Sequence, residues 1–315
     1  MANTATLKHP PAQLPTAAPA VAPAYPSARN FAMLSHPGRV RHLNQDACAA
    51  LPQHGAFVVC DGVGGAAAGE VASHLAAEAF LASLAHPIHP GRAAKAVAGS
   101  APAGNSPELY PADHPHARLQ RAVYAANRAV FHRAQRARAL RGMGTTLVAA
   151  LLEDAALQPQ APPAAPGPTL WLAHVGDSRC YLFRRGVLHL LTQDHSLVEE
   201  QVRAGLISRL QAATSPIRNI ITRAVGSQPS VEPDIAAHAV YPGDLFLLAS
   251  DGLSRELDDD AIARILARNS GSPTSLLVGV NNPGPPLEPA CQALVDAANA
   301  HGGRDNITVL LIACP

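Results

Sequence analysis

Six short apolar runs constrain the fold of this chain more than any other feature of its sequence. Each is rich in β-branched or aromatic residues and is bounded by glycine, aspartate or proline, a pattern typical of strands in a sheet with a buried face. The RRG sequence within the fourth run predicts a hairpin turn. The runs are AFVVCDG (56–62), TTLVAALL (145–152), TLWLAHVG (169–176), RCYLFRRGVLHLLT (179–192), DLFLLASDG (244–252) and NITVLLIAC (306–314).

Helical patterns accompany these runs at 69–84, 118–140, about 196–204, 258–268 and 288–300. The second pattern has one apolar face, formed by Leu119, Val123, Ala126 and Val130. Its other side carries Arg121, Arg128, Arg133, Arg136 and Arg138. A solvated face explains these arginines most simply, and a docking surface for an acidic phosphopeptide is the alternative. Two helical patterns separate the first strand from the second and strands then follow one another, which favours a layered α+β protein over a doubly wound parallel sheet.

The sequence predicts an N-terminal tail followed by one folded domain. Residues 1–28 are rich in alanine and proline and predict a disordered tail, because proline fixes φ and removes a backbone donor. We expect the remainder, 29–315, to form a single domain. Proline-rich surface loops are expected at 158–169 and 281–289, and an irregular stretch at about 86–116.

Composition excludes several classes of protein. Hydrophobic residues make up 48% of the chain, which suffices for a sizeable core. The net charge of +1 gives no indication of a basic surface for nucleic acid or an anionic membrane. We find no apolar run of membrane-spanning length, no basic and apolar secretory signal and no CxxC pair. The expectation is a cytoplasmic, monomeric, globular protein. No Gly-Lys pair of a P-loop and no Cys-x5-Arg cradle of a thiolate phosphatase occurs.

Aspartates recur beside the predicted strands. Asp61, Asp251 and Asp305 lie at strand ends or in glycine-rich turns next to them, and Asp177 directly follows a strand. A single aspartate in such a place most often forms a turn or caps a helix. Four of them together indicate a site for Mg²⁺ or Mn²⁺, because these ions prefer carboxylate and carbonyl oxygens, and two such ions can activate water against a phosphoryl group.

The chain resembles a known family, the metal-dependent protein phosphatases of type 2C, and in particular its bacterial members. The resemblance runs from about residue 30 to 314 and rests on eight motifs in the family's order. They are RHLNQDA (41–47), DGVGGAAAGEVAS (61–73), GMGTT (142–146), HVGDSRCYL (174–182), TQDHSLV (192–198), RNIITRAVG (218–226), SDGL (250–253) and GGRDNIT (302–308).

The resemblance implies a fold, a reaction and a cofactor. The fold would be a four-layer α-β-β-α sandwich of two antiparallel sheets flanked by helices. The reaction would be hydrolysis of phosphoserine and phosphothreonine in proteins, by in-line attack of a water activated at a binuclear Mn²⁺ or Mg²⁺ centre. Partners would be phosphorylated proteins, including a serine/threonine kinase and its substrates in signalling.

Roles for individual residues also follow from the resemblance. Asp61 would bridge two core ions, the Gly62 carbonyl would bind one of them, and Asp251 and Asp305 would complete the other. Asp177 with Asp251 would hold a third, weaker ion. Arg41 would bind the substrate phosphate with its planar guanidinium. Asp46 would hydrogen-bond the metal-bound water, and residues 194–222 would form a mobile flap.

Three positions depart from the family pattern. Gln45 stands where glutamate is common, Val63 replaces the methionine or histidine of other members, and Ser215 stands where bacterial members often have histidine. No side chain at Val63 can protonate the leaving alkoxide, so water or another group must do so. Two alternatives of other classes stay open: a catalytically inactive binding module, and a two-metal phosphoesterase acting on small molecules.

Overall fold

Short strands separated by turns build two antiparallel sheets in this protein. The computed structural model describes residues 30–64, 68–85, 110–153, 168–269 and 286–314. The predicted tail 1–28 lies outside the described residues, as do most of the predicted loops at 158–169, 281–289 and 86–116.

The first sheet has five strands, in the order β1-β11-β10-β7-β8. Their bounds are Phe31–His36 (β1), Ile307–Ala313 (β11), Leu245–Ala249 (β10), Arg179–Arg184 (β7) and Val187–Leu190 (β8). The second sheet has the order β2-β3-β5-β6-β9, and β4 also pairs with β3. Its bounds are Asp46–Leu51 (β2), Ala56–Val63 (β3), Gly144–Thr145 (β4), Leu147–Glu153 (β5), Thr169–Val175 (β6) and Asp234–Ala239 (β9).

Helices cover the outer face of each sheet. Two long helices, α1 (Ala68–Ala85) and α2 (Pro115–Arg136), pack on the second sheet. On the first sheet, α6 (Asp259–Asn269) and α7 (Glu288–Ala300) do the same. Three short α-helices are α3 (Leu197–Arg203), α4 (Arg209–Ala213) and α5 (Asp251–Ser254), and the described residues also include 3₁₀ helices at Pro52–His54 and Arg138–Leu140. Among the described helices, none is both long enough and apolar enough to cross a membrane.

A third apolar cluster fills the space between the sheets. Phe57 and Val148 enter it from the second sheet, and Phe246 and Leu310 from the first, all fully buried. The central strands are therefore buried on both faces, which explains why they are almost continuously apolar rather than alternating. The order of layers is helix, sheet, sheet, helix, and the predicted α-β-β-α sandwich is confirmed.

The predicted elements agree closely with those observed, and the differences have simple causes. The RRG turn connects β7 to β8, with Arg185 at a φ of 51° and Gly186 at 82°, as a two-residue hairpin requires. The strands β1, β2 and β9 were not predicted from the sequence. Half of the residues in β2 and in β9 are alanine and each strand opens with aspartate, two residue types with low preference for strands, so pairing with their neighbours decides their conformation.

Candidate functional site

The topology brings the predicted aspartates to one end of the two sheets. Asp61 lies near the end of β3 and Asp177 follows β6. These strands run in the same direction, because each is antiparallel to β5 between them. In the first sheet, Asp251 follows β10 and Asp305 precedes the antiparallel β11. All four therefore meet at the same edge of the sandwich.

Asp46 opens β2 directly opposite Asp61 in the strand register. It is 3% exposed, and its Oδ2 accepts hydrogen bonds from Ser250 Oγ and Thr308 Oγ1, each 2.7 Å long. Burial raises the pKa of Asp46 to about 6, against the lowering effect of these two hydroxyl donors. The hydroxyls orient one oxygen of the carboxylate and leave the other available.

A chain of donors leads to Asp46 from the first sheet. Thr308 Oγ1 donates its hydrogen to Asp46, so Ser35 Oγ, 2.7 Å from Thr308 Oγ1, must be the donor in that pair. Ser35 Oγ in turn accepts from Asn44 Nδ2 at 2.8 Å. A buried polar network of this kind is stable only when each member has a partner. Asp46 is thus held across the gap between the sheets.

The backbone around Asp61 is equally constrained. The Asp61 N–H donates to Thr146 Oγ1 at 2.9 Å, and the Asp61 carbonyl accepts from the Thr145 hydroxyl at 2.8 Å. Only glycine fits at position 62, because an added Cβ would lie 2.1 Å from the Gly69 carbonyl oxygen. The close approach of α1 therefore fixes the position of the Gly62 peptide.

The Asp177 turn is fixed by a residue to which the sequence analysis gave no role. The backbone N–H of His195 donates to the Gly176 carbonyl at 2.9 Å, and His195 Nδ1 accepts from the Gly176 N–H at 3.2 Å. Burial lowers the pKa of His195 to about 4. The neutral ring therefore keeps its acceptor at Nδ1 near neutral pH, and its Nε2 faces Asp234 Oδ2 at 3.3 Å.

The predicted flap, 194–222, contains His195 as its second residue and is closed at its base. The Thr222 N–H donates to the His195 carbonyl at 2.8 Å, and Ser196 and Ile221 form an isolated β-bridge. Between these ends lie α3 and α4. Ser215 accepts a hydrogen bond from the Ile217 N–H within the segment.

Arg255 is the second residue that the sequence analysis missed. It lies four residues after Asp251 and forms an ion pair with it. Its guanidinium is also 3.6 Å from Asp177 Oδ2 and 3.5 Å from Asp305 Oδ2. One cation therefore contacts three of the predicted metal ligands. The i, i+4 spacing after Asp251 is the sequence signal that could have identified it.

Arg41 faces the same group of carboxylates from the loop between β1 and β2. Its Nη2 donates to Asp305 Oδ2 at 2.9 Å, and its side chain is 52% exposed. Asn306 holds this loop in place, because its Nδ2 donates to the Leu43 carbonyl and its Oδ1 accepts from the Gln45 N–H, both at 2.8 Å. The Asn306 role was also missed, although the residue follows Asp305 directly.

The electrostatics of this edge favour a divalent cation. Burial, together with repulsion from Asp46 and Asp251, holds the pKa of Asp61 well above its ordinary range. Burial and repulsion from Asp177 raise the pKa of Asp251 in the same way. Among the described residues, Asp46 Oδ1 and Asp251 Oδ1 are buried without a hydrogen-bond donor. Free carboxylate oxygens that repel one another match the ligands that Mg²⁺ and Mn²⁺ prefer.

A cavity of about 230 Å³ opens onto these groups. Its lining includes Arg41, Gln45, Asp61, Gly62, Val63, Asp177, Asp251 and Asp305. Asp46 lies behind it, opposite Asp61. All the residues predicted to form the site are thus brought together, and Val63 contributes only an apolar surface.

The cysteines offer no alternative nucleophile. All five are free. Burial raises the pKa of Cys48 to about 11 and moves the pKa of Cys60, next to Asp61, further in the same direction. A thiol with a raised pKa is a poor nucleophile, so chemistry at this edge depends on the oxygen ligands.

The model of one protein family matches this chain. The family is described as "Protein phosphatase 2C", and the match covers residues 38–274.

Two curated relatives illustrate the similarity in sequence. The putative protein phosphatase 2C-type of Streptococcus pyogenes serotype M6 is 40% identical over 173 residues, which span 55% of this chain and 58% of that relative. The serine/threonine phosphatase stp of Listeria innocua serovar 6a is 31% identical over 278 residues, covering 87% of this chain and 92% of the relative.

A solved structure agrees in fold. The catalytic domain of the serine/threonine protein phosphatase PstP, crystallised with two manganese ions, superposes with a TM-score of 0.64 at 31% identity. The superposition covers 89% of this chain and 96% of that one.

Proposed function

Because this chain belongs to the protein phosphatase 2C family, we propose that it is a metal-dependent protein-serine/threonine phosphatase, a hydrolase of phosphoric monoesters. The observation that carries the proposal is the convergence of five aspartates on one edge of the sandwich. Burial raises the pKa of four of them, Asp46, Asp61, Asp177 and Asp251. Arg255 offsets only part of the repulsion among these carboxylates, and bound divalent cations would offset the rest.

We assign the ligands as follows. Asp61, the Gly62 carbonyl, Asp251 and Asp305 would hold two core Mn²⁺ or Mg²⁺ ions, with Asp61 as the ligand that both ions share. Asp177 and Asp251 would hold a third, weaker ion. The support is that all five residues line one cavity and that every proposed ligand is an oxygen.

The bound ions would supply a water of lowered pKa and positive charge for the phosphoryl oxygens. The chain's own groups do the rest. Asp46, held by Ser250 and Thr308, keeps an oriented acceptor beside Asp61. Arg41 positions the substrate phosphate through its guanidinium fork. Val63 has no proton to give, so water or another group would protonate the leaving alkoxide.

Removal of divalent metal tests the proposed function directly. We expect hydrolysis of a phosphothreonine peptide to require added Mn²⁺ or Mg²⁺ and to be abolished by EDTA, and zinc alone to give less than full turnover. The rate of hydrolysis is measured as release of inorganic phosphate. Full activity after exhaustive chelation would contradict the metal-dependent mechanism. A rate on nucleotide or sugar phosphates far above that on phosphopeptides would favour the small-molecule alternative.

Substitution of Arg41 tests the assignment of the phosphate contact. We expect Arg41→Ala to raise KM for a phosphopeptide by about 10-fold and to lower kcat less, because a charge-assisted hydrogen bond to the phosphate is lost in ground and transition states alike. Arg39→Ala is the matched control, since Arg39 is exposed, lies in the same loop and does not line the cavity. An unchanged KM in Arg41→Ala would indicate that Arg41 has only a structural role, through its ion pair with Asp305.

The biological setting is also part of the proposal. We propose a monomer that acts in the cytoplasm on proteins phosphorylated by a serine/threonine kinase, with 29–315 as one catalytic domain and 194–222 as its flap. Free thiols at all five cysteines are compatible with a reducing compartment. The base of the flap, joined to the Asp177 turn through His195, is compatible with a segment that moves beside the site.

A further inference from the structure

A second cavity lies beside the metal site and is lined mainly by arginine. It measures about 180 Å³ and is lined by Arg41, Arg218, Asn219, Gly252, Arg255, Glu256, Arg304 and Asp305. Four guanidinium groups thus face two carboxylates. The lining includes Arg41, Asn219, Arg255 and Asp305, which also line the metal site. A chemical group bound in this second cavity would therefore lie next to the substrate phosphate at the metal site.

Both carboxylates of this cavity already have partners. Glu256 accepts from the Arg304 N–H at 3.1 Å and from Arg304 Nη1 at 3.0 Å, and its side chain is only 3% exposed. Asp305 Oδ2 accepts from Arg41 and also faces Arg255. The negative charges are therefore neutralised within the lining.

The guanidinium of Arg218 has no such partner. Among the described residues, no carboxylate lies within ion-pair distance of it. Arg218 is exposed on the flap, in the turn closed by the bond from its N–H to the Ser215 carbonyl at 3.2 Å. The turn presents this cation to the cavity, and the side chain of Arg304, which also lines the cavity, is 72% exposed.

We propose that this arginine cavity binds a second acidic group of the substrate, a phosphate or a carboxylate near the phosphorylated residue. The enzyme would then favour phosphopeptides with acidic neighbours. The inference rests on the proposed function and adds a substrate class to it. An anion fits because it would pair with the unpartnered Arg218 without displacing an existing ion pair, and guanidinium groups bind both kinds of acidic group.

The test compares phosphoserine peptides that differ only in their neighbours. One has neutral flanks, and the others carry aspartate or a second phosphoserine on either side. We expect kcat/KM for the acidic peptides to exceed that of the neutral peptide by about 5- to 10-fold at low salt and by less at high salt. The aspartate and phosphoserine peptides separate the two sources of the acidic group.

Substitutions in the cavity should decrease or increase the preference for acidic peptides in a predictable direction. Arg218→Gln should remove most of the preference, and Arg304→Gln should remove less of it, because Glu256 already pairs with Arg304. Both variants should leave the rate on the neutral peptide unchanged. Glu256→Gln frees Arg304 and should increase the preference. Arg128→Gln on α2 removes an exposed arginine that does not line the cavity and should change nothing. Melting temperatures of all four variants report whether each is folded.

The outcomes are distinguishable. If wild type cleaves the neutral peptide but shows no acidic preference, the inference fails and the proposed function stands. If the preference depends on Arg128 and not on Arg218 or Arg304, acidic peptides bind the arginine face of α2 instead, and the inference also fails. If no peptide is cleaved in the presence of Mn²⁺, the proposed function itself fails.

Discussion

Asp61→Asn is expected to lose tight binding of Mn²⁺ and, with it, essentially all phosphatase activity. Asp61 is the one carboxylate assigned to both core ions, so a neutral amide in its place weakens both. Substitution of a residue that only supports a ligand costs about 10- to 100-fold in metal affinity. Removing the bridging ligand should therefore cost about 100-fold or more. Calorimetric titration with Mn²⁺, alongside phosphopeptide hydrolysis, measures the two effects.

The same substitution should raise the stability of the metal-free protein. Burial and repulsion hold the pKa of Asp61 above its ordinary value. The charged form therefore destabilises the fold at neutral pH, and the neutral amide removes that cost. The melting temperature of metal-free Asp61→Asn should exceed that of metal-free wild type by a few degrees. A variant that still binds two Mn²⁺ ions tightly would refute the bridging assignment.

Asp244→Asn is the matched control for this experiment. Asp244 is also a buried carboxylate, paired with Arg184, and it lies at the opposite end of β10 from Asp251. Its loss should lower stability, because Arg184 is left without its partner. Metal affinity should stay at the wild-type value. The comparison separates loss of a ligand from loss of a buried charge.

Asp177→Asn is expected to give a different result: normal folding, two bound metals, and loss of most activity on phosphoprotein, about 10- to 100-fold. Asp177 is assigned only to the third ion, for which Asp251 alone is an insufficient ligand. The core ions keep Asp61, Asp251, Asp305 and the Gly62 carbonyl. Calorimetric metal counts and phosphopeptide assays on the same preparation measure both halves of the expectation.

The alternative role of Asp177 is structural. Asp177 faces Arg255 at 3.6 Å and follows the Gly176 turn that His195 holds. If it served only this turn, an asparagine would keep a side-chain acceptor and the variant would show wild-type turnover. That outcome would leave the third-metal assignment without support.

Much of this architecture could be predicted because its signals are local. Continuous apolar runs such as AFVVC, bounded by glycine and aspartate, identify central strands regardless of what surrounds them. The aspartates at the metal edge could be selected for the same reason, since their positions depend on where strands end. The strand β2, DACAAL, has no such signal and becomes a strand by pairing with β3.

The parts that could not be predicted depend on contacts between distant segments. His195 acquires its role only when the base of the flap meets the Gly176 peptide, 19 residues away in the chain. Asn306 holds the Arg41 loop through groups more than 260 residues away. The ion pair of Arg255 with Asp251 could have been predicted from the helical i, i+4 spacing. Its contacts with Asp177 and Asp305 could not, because these residues lie in distant parts of the sequence.

The attachment of Asp46 has a consequence for how the sandwich deforms. Along most of their interface the two sheets meet through aliphatic and aromatic side chains, which tolerate small sliding displacements. At the Asp46 end, a carboxylate of one sheet accepts hydrogen bonds from Thr308 in β11 of the other sheet and from Ser250, which directly follows β10. Hydrogen bonds have strict length and angle requirements. Shear between the sheets is therefore resisted at this end, and the opposite end is free to absorb it. A substitution at Thr308, the buried second residue of β11, would thus impair turnover by loosening the alignment of the two sheets at the catalytic edge.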